Sequence, residues 1–210
     1  MREPGLKNSA RQKTRGKIFV ISGPSGSGKT TLLKKALTSR SLKGRLAKSI
    51  SVTTRLKRPG ERQARDYFFV SPQEFRRLNK SKKILEWTRY LGYYYGTKKD
   101  FLEESLIKGK HIALCLDLKG ALKLKKLYPQ DSVTIFIVPP SIKELRNRLE
   151  GRCSQSRQEE IARRLKLARG ELKNARRYDY VLRNNNLAQA EERLQKIILK
   201  KIEAQDNSEV

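Results

Sequence analysis

Acid is scarce in this 210-residue sequence: 21 Asp and Glu stand against 49 Lys and Arg, a formal net charge of +28. Such a surplus attracts phosphate-rich ligands and could support nonspecific contact with RNA or DNA. The basic residues are spread over most of the expected helices, which favours general surface composition over a dedicated nucleic-acid site. Cysteine is nearly absent. Cys115 and Cys153 give no disulfide framework and match no metal-site spacing, so both are expected as free thiols in a reducing, cytoplasmic setting. No run approaches the ~18 apolar residues of a membrane span, so no membrane partner is expected. The start lacks the apolar core of a secretory signal. Arg2, Lys7, Arg11, Lys13 and Arg15 keep an organellar transit peptide open, although Glu3 and the lack of an amphipathic stripe oppose it. Residues 1–16 are read as a basic, disordered extension, and 206–210 as a tail.

What is present is sharper. Gly23, Pro24, Ser25, Gly26, Ser27, Gly28, Lys29 and Thr30, followed by Thr31, fit the spacing of a phosphate-binding loop. The context fits too: Ile18–Ile21 reads as a short buried strand and Thr30–Ser39 as the helix after it. Glycines let backbone N–H groups turn inward around an anion, and the helix N-terminus adds its positive dipole. Lys29 would reach the outer phosphates, and the Thr30 hydroxyl could bind Mg²⁺. The expected ligand is a nucleoside triphosphate.

Beyond this loop, apolar strands alternate with helices, the rhythm of a parallel sheet covered on both faces. Strands are expected at Lys48–Val52, His111–Leu116, Val133–Val138 and Tyr180–Leu182, with a long helix ending near Arg177. The stretch 51–97 changes texture, becoming rich in Tyr and Arg, and reads as an inserted small lobe with strands at Asp66–Val70 and Ile84–Tyr90. Ser71-Pro72-Gln73-Glu74 and Ser141-Ile142-Lys143-Glu144 are capping boxes that open helices. The last helix carries Leu187, Ala190, Leu194, Ile197 and Ile198 at helical spacing. The expected architecture is one α/β domain over 17–205, with core segments 17–50 and 98–205 and a lid at about 146–165.

Several segments together resemble the guanylate kinases from Lys17 to about Ile198. They are Ser51-Val52-Thr53-Thr54-Arg55, Arg58-Pro59-Gly60-Glu61, Asp66 to Val70, Glu86-Trp87, Tyr94-Tyr95-Gly96-Thr97, Asp117, Arg148 to Arg152, Arg164-Leu165 and Tyr178 to Val181. The resemblance implies transfer of the terminal phosphoryl group of ATP to GMP, and to dGMP as well, giving ADP and GDP, with Mg²⁺. It assigns the GMP phosphate to Arg55, Arg58, Tyr67 and Tyr95, and the guanine edge to Glu86 and Asp117, with nucleotide contacts from Ser51 and Thr97. Lys29, Arg148, Arg152 and Arg164 fall at positions that stabilise the transferring group, and Asn184 at one near the adenine. The chemistry agrees: a phosphate dianion calls for Arg and Tyr donors, and guanine N1–H and N2–H₂ call for carboxylates. An attacking phosphate oxygen is already anionic, so a chain whose only histidine is His111 lacks nothing for this reaction.

The sequence also departs from the family pattern. Cys115 replaces an acid in Leu114-Cys115-Leu116-Asp117, Lys57 a Pro, Ala64 a Gly, Cys153 a Gly, and Asn185 and Asn186 two acids. A monomer or weak homo-oligomer is expected. The alternative to an active enzyme is a catalytically weak guanylate-kinase-like binding module, against which Lys29 and Thr30 both argue.

Overall fold

The computed structural model describes residues 15–151 and 158–207. Strand β1 (Ile18–Ser22) is buried along its whole length, with Phe19 and Ile21 on one face and Ile18 and Val20 on the other. A strand apolar on both faces belongs in the middle of a covered parallel sheet, and that is its place. The main sheet runs β2 (Leu46–Lys48), β7 (His111–Cys115), β1, β8 (Ser132–Val138), β9 (Tyr180–Arg183), all parallel.

Helices α1 (Lys29–Thr38) and α7 (Leu187–Asp206) cover one face, where Leu32, Leu33 and Ala36 meet Leu194, Ile198 and Ile202. Helices α3 (Lys99–Ile107) and α4 (Leu118–Leu127) cover the other through Leu102, Leu106, Ala121 and Leu124. Helices α5 (Ile142–Glu150) and α6 (Gln158–Lys173) pack on each other through Leu145, Leu149, Ile161, Leu165 and Ala168, a separate apolar cluster.

A second, four-stranded sheet runs β4 (Phe68–Phe69), β3 (Val52–Thr53), β6 (Tyr93–Lys98), β5 (Ile84–Tyr90). It packs on α2 (Pro72–Lys80) around Val52, Phe75 and Ile84. Both expected capping boxes form their first half: Ser71 accepts from the Glu74 N–H and Ser141 from the Glu144 N–H.

Three sequence expectations are corrected. The single strand at Lys48–Val52 is two strands in different sheets. Ser49 N–H still bonds Ala113 in the main sheet, whereas Ser51 C=O already accepts from Phe68 in the small one. The expected strand Asp66–Val70 shrinks to Phe68–Phe69, because Asp66 turns back to accept from the Arg62 N–H. The long helix stops at Lys173, followed by a 3₁₀ turn at Ala175–Arg177. Strand β6 was not foreseen. Its Gly96 hides the pattern, since a side chain there would press on Ile84 Cγ2 at 2.8 Å.

Ala64 has φ of 58°, in the left-handed region where a Cβ is strained. The glycine usual at this position in the resembling family has a physical reason here. Ala64→Gly is expected to raise stability by about 1 kcal/mol; equilibrium urea unfolding that shows no gain would contradict this backbone assignment.

Candidate active site

The loop after β1 turns around glycines at φ 136° (Gly23), 91° (Gly26) and 100° (Gly28). Gly28 is the N-cap of α1, and a Cβ there would lie 2.3 Å from the Asn184 amide nitrogen. That close approach is used, because Asn184 is buried and donates to Ser27 C=O at 2.8 Å. Asn184 therefore sits against the loop's backbone. Lys29 folds over its own loop, with Nζ donating to Gly23 C=O (2.6 Å) and Pro24 C=O (2.8 Å). Thr30 and Thr31 lie exposed in the first turn of α1.

From α6, Arg164 reaches across to this loop, donating to Ser25 Oγ at 3.1 Å while Glu160 holds its Nε at 3.0 Å. Its side chain is only 14% exposed. Arg148 on α5 is held by Glu144, one turn earlier, at 2.8 Å. Arg152 and Cys153 lie outside the described residues.

A second cluster forms on the small sheet. Arg55 is 10% exposed, and its Nη2 donates to both Glu61 oxygens, at 2.8 and 3.0 Å. The guanidinium also lies over the rings of Tyr67 (5.6 Å) and Phe69 (5.7 Å). Tyr95 stands edge-on to Tyr67 at 6.0 Å. Burial, with Cys115 and Tyr95 adding to it and Arg55 opposing, pushes the Tyr67 hydroxyl up to about 12, so it stays a donor at neutral pH. Arg58 is exposed; its backbone N–H bonds Glu61 Oε2 at 2.8 Å. Ser51 is half-buried at the entry to β3.

A third group is the acid pair Glu86 and Asp117. Glu86 follows a shift of register between β5 and β6 at Ile84, and such irregularities re-aim side chains. It is 2% exposed and accepts from Thr97 Oγ1 at 2.5 Å. Asp117 caps α4, accepting from the Gly120 N–H at 2.9 Å. A Cβ on Gly120 would lie 2.7 Å from Glu86 Oε2, so this glycine lets the two acids share one place. Burial pushes the Glu86 carboxyl up to about 7; Thr97 opposes this, and the charge of Asp117 adds to it.

His111 and Cys115 both lie on β7. His111 opens β7, where its Nδ1 accepts from the Lys17 N–H at 3.0 Å. Cys115 is half-buried at the end of β7; burial raises its thiol, against the pull of Lys29 and Lys48. Among the described residues, no group of three or more His, Cys, Asp or Glu could hold a metal ion, and no helix is long and apolar enough to cross a membrane.

The comparisons with known proteins agree on one family. The guanylate kinase family model matches residues 15–201. The chain belongs to the guanylate kinase family. It is 43% identical over 187 residues to a guanylate kinase of Caldanaerobacter subterraneus subsp. tengcongensis, covering 89% of this chain and 88% of that one. A guanylate kinase of Wolbachia pipientis wMel is 40% identical over 188 residues, 90% of this chain and 92% of that one. The crystal structure of guanylate kinase from Anaplasma phagocytophilum superposes with a TM-score of 0.73 at 34% identity, covering 90% of this chain and 87% of that one.

Two residues of this guanylate kinase fold carried no assigned role in the sequence. Glu61 fixes Arg55 and the Arg58 backbone together, and Gly120 makes room for the Glu86 carboxylate. An acid six residues after Arg55, across a Pro-Gly turn, was the available signal for the first. Gly120, with Ala121, belongs to the segment after Asp117 that resembles the family, but nothing local marked what its missing side chain makes room for.

A carboxyl whose folded pKa is raised binds its proton more tightly folded than unfolded. The cost of ionising Glu86 is therefore absent below its unfolded pKa and grows as pH rises toward 7. Glu86→Gln removes that cost and keeps an acceptor for Thr97. The variant is expected to match the parent near pH ~4.5 and exceed it by up to about 3 kcal/mol near pH 8. Urea unfolding at both values tests this, and a gap independent of pH would contradict the burial of an ionising carboxyl.

Proposed function

We propose that this chain transfers the terminal phosphoryl group of ATP to GMP, giving ADP and GDP. The observation that supports the reading is that one fold carries the interacting acids Glu86 and Asp117, a phosphate-binding loop and an Arg–Tyr cluster. Family membership supports it.

Guanine offers N1–H and N2–H₂ on one edge. In this reading, the buried Glu86 and the half-buried Asp117 take those donors, and the Thr97 hydroxyl fixes the first of them. Adenine offers no donor at its second position and would leave a carboxylate unpaired, which is strongly unfavourable. The GMP phosphate goes to Arg55, Tyr67 and Tyr95, with Arg58 at the rim. Glu61 and the two aromatic rings hold Arg55 in one orientation before the ligand arrives. Such preorganisation lowers the entropy lost on binding.

On the other side, the loop's backbone N–H groups and Lys29 receive the ATP phosphates. Lys29 exchanges its two carbonyl partners, Gly23 and Pro24, for phosphate oxygens. Arg164, already at Ser25, places its charge beside the transferring group, and Arg148 and Arg152 would add to it from the lid. The attacking phosphate oxygen is anionic, so alignment and charge stabilisation carry the rate.

Among the described residues no cluster of carboxylates could cage an ion; those present fit Mg²⁺ brought in on the nucleotide's phosphates, with Thr30 offering its hydroxyl. When bound, Mg²⁺ neutralises charge on the donor phosphates.

A coupled assay of ADP formation with GMP, AMP, CMP and UMP tests the reading. GMP is expected to be favoured over AMP by at least about a hundredfold in kcat/KM, and Glu86→Gln to erode that ratio. Lys29→Ala should abolish turnover while GMP affinity, read by calorimetry, stays nearly intact. Comparable turnover of AMP and GMP would refute the base-reading role, and an active Lys29→Ala would refute the loop's.

A further inference from the structure

A third acid after Glu86 and Asp117, Glu171, comes near Lys29. Glu171 lies on α6 seven residues after Arg164, two helical turns along the same face that brings Arg164 to Ser25. Its Oε2 is buried without a hydrogen-bond partner. The carboxylate lies within electrostatic reach of Lys29 and Asp117, and it also influences the Tyr90 and Tyr178 hydroxyls. Burial pushes its carboxyl above the usual range; Lys29 opposes that and Asp117 adds to it. Beside it opens a cavity of about 600 Å³, walled in part by Leu91, Leu118, Leu167 and Gly170.

An acceptor left without a donor in a buried place is unfavourable unless a ligand supplies one. The chemistry of the proposed ligands narrows the choice. Phosphate groups bring acceptors only. The guanine edge donates to Glu86 and Asp117. The donors still uncommitted on the acceptor nucleotide are its ribose hydroxyls. The cavity that Glu171 lines has apolar walls for the carbon face of a ring, a carboxylate for its hydroxyls, and Arg163, Lys166 and Asn174 as polar neighbours, the chemistry of a sugar site.

We propose that Glu171 is a specificity-determining residue that accepts hydrogen bonds from the ribose hydroxyls of the acceptor nucleotide, so that the enzyme distinguishes ribose from its deoxy forms. The inference rests on the acceptor being GMP. It adds a third carboxylate to the two that read the base, placed on the helix that also delivers Arg164.

The test measures kcat/KM and calorimetric affinity for GMP, dGMP and 2′,3′-dideoxy-GMP in the parent, Glu171→Gln and Glu171→Ala. Thermal melts check that each variant is folded. Glu171→Gln keeps the side chain's shape and removes a buried charge, so it carries the test should the alanine variant unfold. Glu171→Ala is expected to weaken GMP binding about tenfold, dGMP less, and the dideoxy compound not at all, chiefly through KM. Glu171→Gln should show the same order with smaller losses. Equal losses on all three nucleotides, or none, would overturn the inference. Equal losses with a raised Mg²⁺ requirement would instead place the carboxylate on the metal's water shell. All of these outcomes leave GMP turnover by the parent standing; absence of that turnover would defeat the functional reading itself.

Discussion

The structure turns on two acids brought together, Glu86 almost wholly removed from water and Asp117 partly so. Glu86 belongs to the small sheet and Asp117 caps α4, two residues beyond β7 of the main sheet, so the pair exists only if the two sheets are correctly mated. Three local devices make it tolerable. A register shift aims Glu86, Thr97 gives it a hydroxyl, and Gly120 removes the atom that would collide with it. Even so, the carboxyl is held near 7 rather than in its ordinary range. Arrangements that cost the empty protein and are relieved by a ligand are characteristic of functional sites.

Acid is scarce, and its placement around the cleft is selective. In a chain with 49 cations and 21 anions, each described arginine of the cleft that approaches full burial has its own carboxylate. Arg55 has Glu61 and Arg164 has Glu160, while Arg148, more exposed, has Glu144. Pairs of this kind add little to stability when exposed. Their value here is orientation: Arg164 reaches Ser25 from a side chain pinned one turn away on its own helix. Loosely held cations would have to lose that freedom at the moment of reaction.

Much of this was legible in the sequence, for identifiable reasons. Strand β1 and the phosphate loop announced themselves through apolar run, glycine spacing and following helix, since each is a local pattern. Both Ser caps were local in the same way. The crossing from one sheet to the other at Ser49–Ser51 was not, because both halves look like strand and only tertiary pairing separates them. Strand β6 was masked by Gly96, whose role is to let β5 approach. Gly120 and Glu171 could not be found from sequence spacing: one matters through an atom it lacks, the other through a helix face shared with Arg164 across two turns.

The most direct measurement is the number of protons released when GMP binds. Titration calorimetry at pH 7 in two buffers of different ionisation enthalpy counts them, for the parent and for Glu86→Gln. A carboxyl held near 7 and forced to ionise by the guanine donors should release about half a proton that the variant does not. An identical proton count in both proteins would contradict the account.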